Sequence, residues 1–310
     1  MTMRDHGGGI DAAIARFGGK RCDWSDLSTG INPVPYPMPG LPDDAWTALP
    51  DKAAFANLAA RARTFWNVPA EADIIAATGA SAIIAAIPHV LPKSGVFIPG
   101  PTYNEHGAAF VAAGWQMDDS PDHAMVAVHP NNPDGYLWEE EKVTAPYLVI
   151  DESFCDIMPD ASLIHMAARP NTLILKSFGK FWGMAGLRLG FAIGDPVLVA
   201  RLRDLLGPWQ VSGPALAIGA EGLADPQWAD DTRARLGRDS ERLDRIVTRA
   251  GAELIGGTSL FRLYQVENAS HWQDKLAQNQ VWSRVFPYNP KWLRLGLPAP
   301  DRWAQLEEAL

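Results

Sequence analysis

The first absence in this 310-residue chain is cysteine, which occurs only at Cys22 and Cys155. Two cysteines are too few for a disulfide framework, so the sequence favours a reducing cytoplasm and predicts that each is a small buried apolar side chain. An excess of positive charge is also absent, because 36 acidic residues outnumber 27 lysines and arginines. The chain therefore lacks the basic surface of a nucleic-acid-binding protein, and an anionic substrate would need a local cationic pocket.

Membrane-spanning and targeting patterns are missing as well. The stretch 74–92 has no Asp, Glu, Lys or Arg, but Thr78-Gly79-Ala80-Ser81 and two prolines interrupt it, so it is interpreted as a strand, a turn and a buried helix. Residues 1–9 lack the apolar segment of a signal peptide. The GxGxxG of dinucleotide enzymes and the GxSxG of serine hydrolases do not occur. No nucleic-acid, membrane or metal partner is predicted, and cytoplasmic localisation is expected.

Short apolar segments alternate with helical patterns in the first two thirds of the chain. This alternation predicts an α/β fold whose mainly parallel sheet is covered on both faces. We expect the large domain at residues 40–206 and a smaller α+β domain, with an N-terminal arm, at 1–39 and 207–310. The strands of the sheet are predicted at 73–78, 96–99, 124–129, 147–150, 171–175 and 190–193.

Polar side chains follow successive strands of the predicted sheet. Ligands of such sheets collect at the carboxyl ends of the strands. Each residue also has a simpler interpretation, such as a turn for Asn131-Asn132-Pro133 or a helix N-cap for Asp151. One shared ligand explains five such residues at four strand ends better than five separate reasons. The residues concerned are Tyr103, Asn132, Asp151, Ser177 and Lys180.

The segment from Leu175 to Phe191 organises this hypothesis. An apolar strand leads into Ser177-Phe178-Gly179-Lys180, and an arginine follows eight residues after the lysine. A partly desolvated lysine favours its neutral amine, which is the nucleophile that forms a Schiff base with an aldehyde. A solvated loop lysine remains the alternative. Earlier in the chain, Gly79 opens a helix whose first N–H groups suit a phosphate.

Taken together, these motifs resemble the fold-type I pyridoxal-phosphate enzymes of the aspartate-aminotransferase superfamily. The matching segments are Thr78-Gly79-Ala80-Ser81, Pro101-Thr102-Tyr103, Pro130-Asn131-Asn132-Pro133-Asp134-Gly135, Asp151-Glu152, Ser177-Phe178-Gly179-Lys180 and Gly186-Leu187-Arg188-Leu189-Gly190. The resemblance implies a fold-type I transferase-like fold, pyridoxal 5'-phosphate as cofactor, and a homodimer.

The resemblance also implies roles for single residues. Lys180 would carry the internal aldimine and Asp151 would pair with the pyridinium nitrogen, so both are catalytic. Asn132 would bind the ring hydroxyl oxygen and Tyr103 would stack on the ring. The phosphate would be held by Ala80, Ser81, Ser177 and Arg188, and Gly79 would also bind the cofactor.

Two positions depart from the superfamily pattern. Relatives often have a tyrosine three residues after the aspartate, where this chain has Phe154, so Asn132 would act alone at the ring hydroxyl. A tyrosine that a partner subunit often supplies before a Pro-Asp pair is Leu49 here. The contribution of a neighbouring subunit to phosphate binding is therefore open.

Within the superfamily, the termini are similar to the threonine-phosphate decarboxylase family, which is close to the histidinol-phosphate aminotransferases. The matching segments are His6-Gly7-Gly8, Ile31-Asn32-Pro33, Asp151-Glu152-Ser153-Phe154, Ser283-Arg284 and Trp292-Leu293-Arg294-Leu295. By this resemblance Arg294 binds the substrate carboxylate, and His6, Gly7, Asn32, Asn132 and Arg284 bind other substrate groups, including a phosphate. Without it, both arginines would be interpreted as solvated strand residues.

The expected activity is thus decarboxylation of O-phospho-L-threonine in cobalamin biosynthesis. An aminotransferase acting on histidinol phosphate or a similar phosphorylated amino compound is the alternative, because the two reactions share a cofactor. A non-catalytic effector-binding domain is disfavoured, since Lys180, Asp151 and Arg188 are all retained.

Overall fold

The computed structural model describes residues 6–310, which form two compact units. The larger unit comprises Tyr36–Asn132 and Leu137–Asp231. The smaller unit comprises the described part of Met1–Pro35 together with Pro133–Tyr136 and Thr232–Leu310. Among the described residues, no helix is both long and apolar enough to cross a bilayer.

The helices and strands alternate in the larger unit and are intermixed in the smaller one. The α-helices are α1 Ile10–Phe17, α2 Lys52–Phe65, α3 Ala80–Val90, α4 Asn104–Ala112, α5 Pro196–Leu206, α6 Gly213–Gly222, α7 Pro226–Arg249, α8 Ala269–Gln278 and α9 Trp303–Ala309. The strands are β1 Ser25–Asp26, β2 Asp73–Ala77, β3 Gly95–Phe97, β4 Gln116–Asp118, β5 Ala124–Val128, β6 Tyr147–Asp151, β7 Thr172–Ser177, β8 Gly190–Gly194, β9 Glu253–Thr258, β10 Phe261–Gln265, β11 Val281–Trp282, β12 Arg284–Phe286 and β13 Asn289–Gly296.

The larger unit is built on a seven-stranded sheet in the order β2-β8-β7-β6-β5-β3-β4. All neighbouring pairs are parallel except those of β8, which runs antiparallel to both β2 and β7. The prediction of an α/β fold with a mainly parallel sheet is confirmed. The edge strand β4 was not predicted, because its three residues are polar or largely exposed and give no apolar pattern.

Side-chain alternation divides the central strands between two faces of this sheet. Leu173, Leu175 and Val149 belong to the core beneath α3 and α5. Successive side chains of a strand point to opposite faces. Ser177 therefore continues the face of Leu175, whereas Lys176 lies on the other face.

The smaller unit contains a four-stranded antiparallel sheet in the order β12-β13-β10-β9, and β1 pairs with β11 in parallel. This is the α+β arrangement that the sequence predicted for the C-terminal region.

The bounds of the two units differ from the predicted domains, 40–206 and 1–39 with 207–310. Helix α6, which lies beyond residue 206, packs within the larger unit, where a side chain on Gly219 would collide with Leu189 and Leu58. The Trp228 ring stacks on the Trp182 ring at 5.3 Å in the same unit. These contacts extend the larger unit to Asp231, because the apolar faces of α6 and of the start of α7 are buried there.

The two cysteines differ in burial. Cys155 is buried as predicted, whereas Cys22 is exposed and the prediction for it is wrong. Cys22 lies in a short turn, 21–23, that has no buried residue.

Candidate active site

A small cavity of about 90 Å³ lies at the carboxyl ends of the central strands of the larger unit. Its lining includes every residue predicted to bind the cofactor except Gly79, which directly precedes the lining residue Ala80. These lining residues are Ala80, Ser81, Tyr103, Asn132, Asp151, Ser177, Lys180 and Arg188. The structure thus brings together residues that lie as far apart in the chain as Ala80 and Arg188.

One wall of the cavity is the N-terminus of α3. Gly79 is the N-cap, with φ 80° and ψ 157°, and a Cβ atom there would lie 2.6 Å from Nη2 of Arg188. A Cβ on Gly190 would come within 2.3 Å of the Ala80 nitrogen. Since the first N–H groups of a helix have no partner inside it, this end of α3 attracts anions. The absence of a side chain on Gly190 lets β8 approach the start of α3, and its absence on Gly79 lets the Arg188 guanidinium lie directly against that end.

Arg188 itself has a left-handed backbone, with φ 55°, and its Nη1 donates to the Ala185 carbonyl at 3.1 Å. A non-glycine residue with positive φ is uncommon and is held by its surroundings. Ser177 also lines the cavity, and its hydroxyl accepts a hydrogen bond from the Gly179 N–H at 3.2 Å. A guanidinium, a hydroxyl and a helix N-terminus together suit a phosphate.

The carboxylate of Asp151 is almost fully buried, with 3% of its surface exposed. His106 Nε2 donates to Oδ2 at 2.8 Å, and the N–H and hydroxyl of Ser153 donate to Oδ1 at 3.0 and 2.5 Å. Burial alone would raise the pKa of Asp151, but the hydrogen bond and charge of His106 and the bonds from Ser153 outweigh it and lower the pKa. The group is therefore a carboxylate at neutral pH and can stabilise a cation in the cavity.

Lys180 is half-buried in the turn that follows β7. Its Nζ atom lies 5.3 Å from the centre of the Phe154 ring, in range of a cation–π contact. Phe154 therefore contributes an apolar wall beside the lysine where a tyrosine would have contributed a hydroxyl. Three aromatic rings close to Lys180 in the chain are fully buried and fix the position of the turn. They belong to Phe178, Phe181 and Trp182.

Tyr103 and Asn132 also line the cavity. Tyr103 is half-buried before α4, and its ring meets the His106 ring edge-on at 6.1 Å. The neighbouring Asn131 is fixed by the Thr102 hydroxyl, which donates to Oδ1 at 2.6 Å, and by its own bond to the Pro101 carbonyl. The segment bearing Asn132 is therefore held against the segment bearing Tyr103.

The residues predicted to bind the substrate, apart from Asn132, lie in the smaller unit. Arg284 and Arg294 are directly opposite each other on the antiparallel strands β12 and β13. The guanidinium carbons of Arg284 and Arg294 lie 5.3 and 6.0 Å from the Phe286 ring. Arg294 is 5% exposed and its Nη2 donates to the Ser28 carbonyl at 2.7 Å. Two cations thus share one face of this sheet.

The N-terminal residues approach the same carbonyl within this unit. A Cβ atom on Gly7 would lie 2.4 Å from the Ser28 oxygen, so only glycine fits there without a shift. His6 is exposed. The Asn32 side chain is nearly fully buried, and its Oδ1 accepts from Arg235 Nη2 at 2.6 Å and from the Val34 N–H at 3.0 Å.

Sequence reasoning missed the partners of Asp151. His106 is three residues after Tyr103, so one turn of α4 places it beside that ring and within reach of Asp151, and that spacing was the available signal. Ser153 forms a local turn with Asp151, which the Asp-x-Ser spacing could have indicated. The buried Lys176, one residue before Ser177, was also not singled out.

One further cluster resembles a metal site in composition. Ligand atoms of His129, Glu152 and Cys155 lie within 4.8 Å of one another, and all three residues are buried. However, His129 Nδ1 accepts from the Trp138 N–H at 3.0 Å and Nε2 donates to the Ala161 carbonyl at 2.7 Å. Both ring nitrogens therefore already have protein partners.

The cavity fits pyridoxal phosphate in its donor set. A lysine amine, a buried carboxylate and an arginine beside a glycine-opened helix match the aldehyde, ring nitrogen and phosphate of that cofactor. The Gly79 position supports the fit, because any side chain there would displace the arginine.

Comparisons with known proteins give a consistent result. The family profile "Aminotransferase class I and II" matches residues 116–310. A threonine-phosphate decarboxylase of a Sinorhizobium species is 38% identical, with 96% of this chain and 93% of the relative aligned. One from Pseudomonas aeruginosa is 36% identical, with 99% and 97% aligned. The crystal structure of a Sinorhizobium meliloti histidinol-phosphate aminotransferase with pyridoxal-5'-phosphate has a TM-score of 0.81 at 17% identity, covering 98% of this chain and 93% of its own.

Proposed function

Because this chain belongs to the class I and II aminotransferases, a family of pyridoxal-phosphate enzymes, we propose that it decarboxylates O-phospho-L-threonine to 1-amino-2-propanol O-2-phosphate in cobalamin biosynthesis. Two relatives with threonine-phosphate decarboxylase as their name align over nearly the whole chain. This similarity favours decarboxylation over transamination, since histidinol-phosphate aminotransferases match the chain at lower identity, for example 25% over 85% of it for one from Mesorhizobium japonicum.

The observation that carries the proposal is the opposed pair Arg284 and Arg294. Like charges directly opposite on neighbouring strands repel each other, which destabilises the sheet. A substrate with both a carboxylate and a phosphate would offset this repulsion at both positions. We propose that Arg294 binds the carboxylate, and that Arg284 binds the phosphate with His6, Gly7 and Asn32.

In the larger unit we assign the cofactor contacts as follows. Lys180 holds the aldehyde carbon, Asp151 holds the ring nitrogen in its protonated form, and Asn132 binds the ring hydroxyl and the substrate. Tyr103 covers the ring. The phosphate is held by Gly79, Ala80, Ser81, Ser177 and Arg188.

When bound, pyridoxal phosphate supplies an electron sink for the bond that breaks at the substrate Cα. The protein determines which Cα bond breaks by orienting the substrate. Binding of the substrate carboxylate and phosphate at two separate points restricts the rotation of the substrate. Misplacement of the reacting groups by about 1 Å can cost about 10²-fold in rate. Losing the contact to one of the two anionic groups of the substrate should therefore lower turnover as well as affinity.

The decisive experiment incubates the purified holoenzyme with O-phosphothreonine and measures carbon dioxide and keto acid. We expect one carbon dioxide for each O-phosphothreonine consumed, and little keto acid. Lys180→Ala should abolish both the reaction and the visible absorbance of the bound cofactor. Keto acid as the main product, or rapid transamination of histidinol phosphate, would favour the aminotransferase. Activity that survives in Lys180→Ala would refute the role of the lysine.

We further propose a homodimer in the cytoplasm. The larger unit exposes several large apolar side chains, among them Trp46, Leu49 and Trp209 with 76%, 68% and 55% of their surface accessible. Exposed apolar surface of this kind is typical of an interface that a second copy covers. The free thiols Cys22 and Cys155 fit a reducing compartment. A fully active monomer in light scattering, or recovery of the protein from an extracellular fraction, would contradict these two proposals.

A further inference from the structure

Behind the candidate active site lies a buried charged network around Lys176. The Lys176 side chain is 2% exposed, and its Nζ lies 2.6 Å from Oε2 of Glu152 and 3.6 Å from Oδ1 of Asp156. Burial by itself would lower the pKa of Lys176, but the two carboxylates outweigh it and raise the pKa. The lysine is therefore an ammonium ion held on the face of the sheet opposite Ser177.

The carboxylates use their remaining capacity on other donors. Glu152 accepts from the Ser162 hydroxyl at 2.7 Å and from the Leu163 N–H at 2.5 Å. Asp156 accepts from two indole N–H groups, Trp66 at 2.8 Å and Trp182 at 3.0 Å. One ammonium and four neutral donors thus compensate two buried carboxylates.

The network connects to the two residues on which the proposed chemistry depends. Glu152 directly follows Asp151, and its N–H donates to the Leu175 carbonyl at 3.0 Å, which ties the end of β6 to β7. Trp182 lies two residues after Lys180, and its fully buried ring stacks on the Phe178 ring at 4.7 Å. The network therefore grips both the strand end that bears Asp151 and the turn that bears Lys180.

From these contacts we infer that Lys176 is a positioning residue, which holds Asp151 and Lys180 in register through Glu152 and through Asp156 with Trp182. The inference rests on the proposed cofactor-binding roles of Asp151 and Lys180. Lys176 itself touches neither cofactor nor substrate in this assignment.

Stability alone does not account for such a network. Replacing a buried ion pair by apolar residues of similar volume is often neutral or stabilising. Charged side chains at these positions are therefore not required for the stability of the core. Charged groups with several directed bonds do, however, specify one arrangement of the elements that they join. In this protein, these bonds determine the geometry at the ends of β6 and β7.

The test titrates the apoprotein of Lys176→Met with pyridoxal phosphate and, separately, with pyridoxal, which lacks the phosphate. Methionine is one atom shorter than lysine, fills most of the same space and removes the charge. Because Asp151 and Lys180 act on the ring and aldehyde, both dissociation constants should rise by the same factor. Outer partners of metal ligands are worth about 10- to 100-fold in affinity, and we expect an effect of about tenfold or more. The exposed Lys93→Met is the matched control and should leave both constants unchanged.

Asp156→Asn is the second variant, in case Lys176→Met does not fold. It leaves the Lys176–Glu152 pair in place. The amide oxygen is favoured at the Oδ1 position, which faces the Lys176 ammonium and the Trp66 N–H, so Nδ2 faces Trp182. An amide nitrogen cannot accept from the indole, and the link to the Lys180 turn is therefore lost. We expect an apoprotein with normal far-ultraviolet circular dichroism and the same parallel rise in both constants.

The result that overturns the inference is wild-type affinity for both ligands in whichever of the two variants folds, or a loss confined to pyridoxal phosphate. A purely structural role would lower the melting temperature and leave the affinity of the folded protein unchanged. If the wild type binds neither ligand, the proposed function fails; if it binds both normally but the variants are unaffected, only the role of Lys176 fails.

Discussion

The contact between Gly79 and Arg188 gives a prediction whose magnitude follows from the structure. Gly79→Ala places a methyl group 2.6 Å from Nη2 and 2.9 Å from Cζ of Arg188. Since carbon contacts are favourable only near about 3.5–4.0 Å, the guanidinium must move by about 1 Å. The head of an arginine is flexible, so the move itself costs little. Its effect is that the guanidinium leaves the N-terminus of α3.

Two separate losses are expected from this one substitution. Alanine at φ 80° and ψ 157° adopts a conformation that is nearly exclusive to glycine, so the apoprotein should lose about 1–3 kcal/mol of unfolding free energy. Losing one charge-assisted hydrogen bond to the phosphate costs about 1.5–3 kcal/mol. That corresponds to a rise of about 10- to 150-fold in the dissociation constant for pyridoxal phosphate.

The assay measures unfolding by denaturant and cofactor binding by absorbance. Affinity for pyridoxal should be nearly unchanged, because it has no phosphate. The matched control is Gly107→Ala, since Gly107 lies inside α4 with open space around its Cβ position. Alanine is favoured over glycine in a helix, so the control should be neutral or slightly stabilised.

A double-mutant cycle tests the route of the effect. If Gly79→Ala acts through Arg188, it should add little to the loss of cofactor affinity already caused by Arg188→Ala. The reasoning is refuted if the two losses are fully additive, or if affinity for pyridoxal falls as much as affinity for pyridoxal phosphate.

Two further predictions concern the other groups of the site. Arg284→Ala should reduce kcat/KM for O-phosphothreonine more than for threonine, by a factor of about ten or more. This factor corresponds to about 1.5 kcal/mol for a lost charge-assisted contact. Equal losses on both substrates, or a similar loss in the exposed Arg249→Ala, would show that Arg284 is structural. The lowered pKa of Asp151 contributes stability above the unfolded-state pKa of about 3.9, and this stability is lost as the pH falls through the lower, folded-state value. His106→Phe removes the main donor while filling its volume, so acid unfolding followed by circular dichroism should begin at a higher pH, whereas His165→Phe, which affects only an exposed pair with Glu140, should not shift it.

The sequence by itself determined the local features of this protein. The run of strands and helices, the glycine that opens α3 and the Ser177 to Lys180 turn all follow from periodicity and backbone chemistry within a few residues. The convergence of strand-end side chains was also predictable, because parallel strands present their carboxyl ends at one edge of a sheet. The motif order was specific enough to indicate the family before any coordinates.

Only the tertiary structure decided which distant groups meet. The bond between His106 and Asp151 joins residues 45 positions apart, and the opposition of Arg284 and Arg294 depends on the register of β12 against β13. Lys176 and Lys180 are only four residues apart. Even so, Lys176 is buried beside two carboxylates, whereas Lys180 lines the cavity. Strand order, register and the packing on each face are set by the whole core, since a shift of one residue in register would turn every side chain of a strand to the other face.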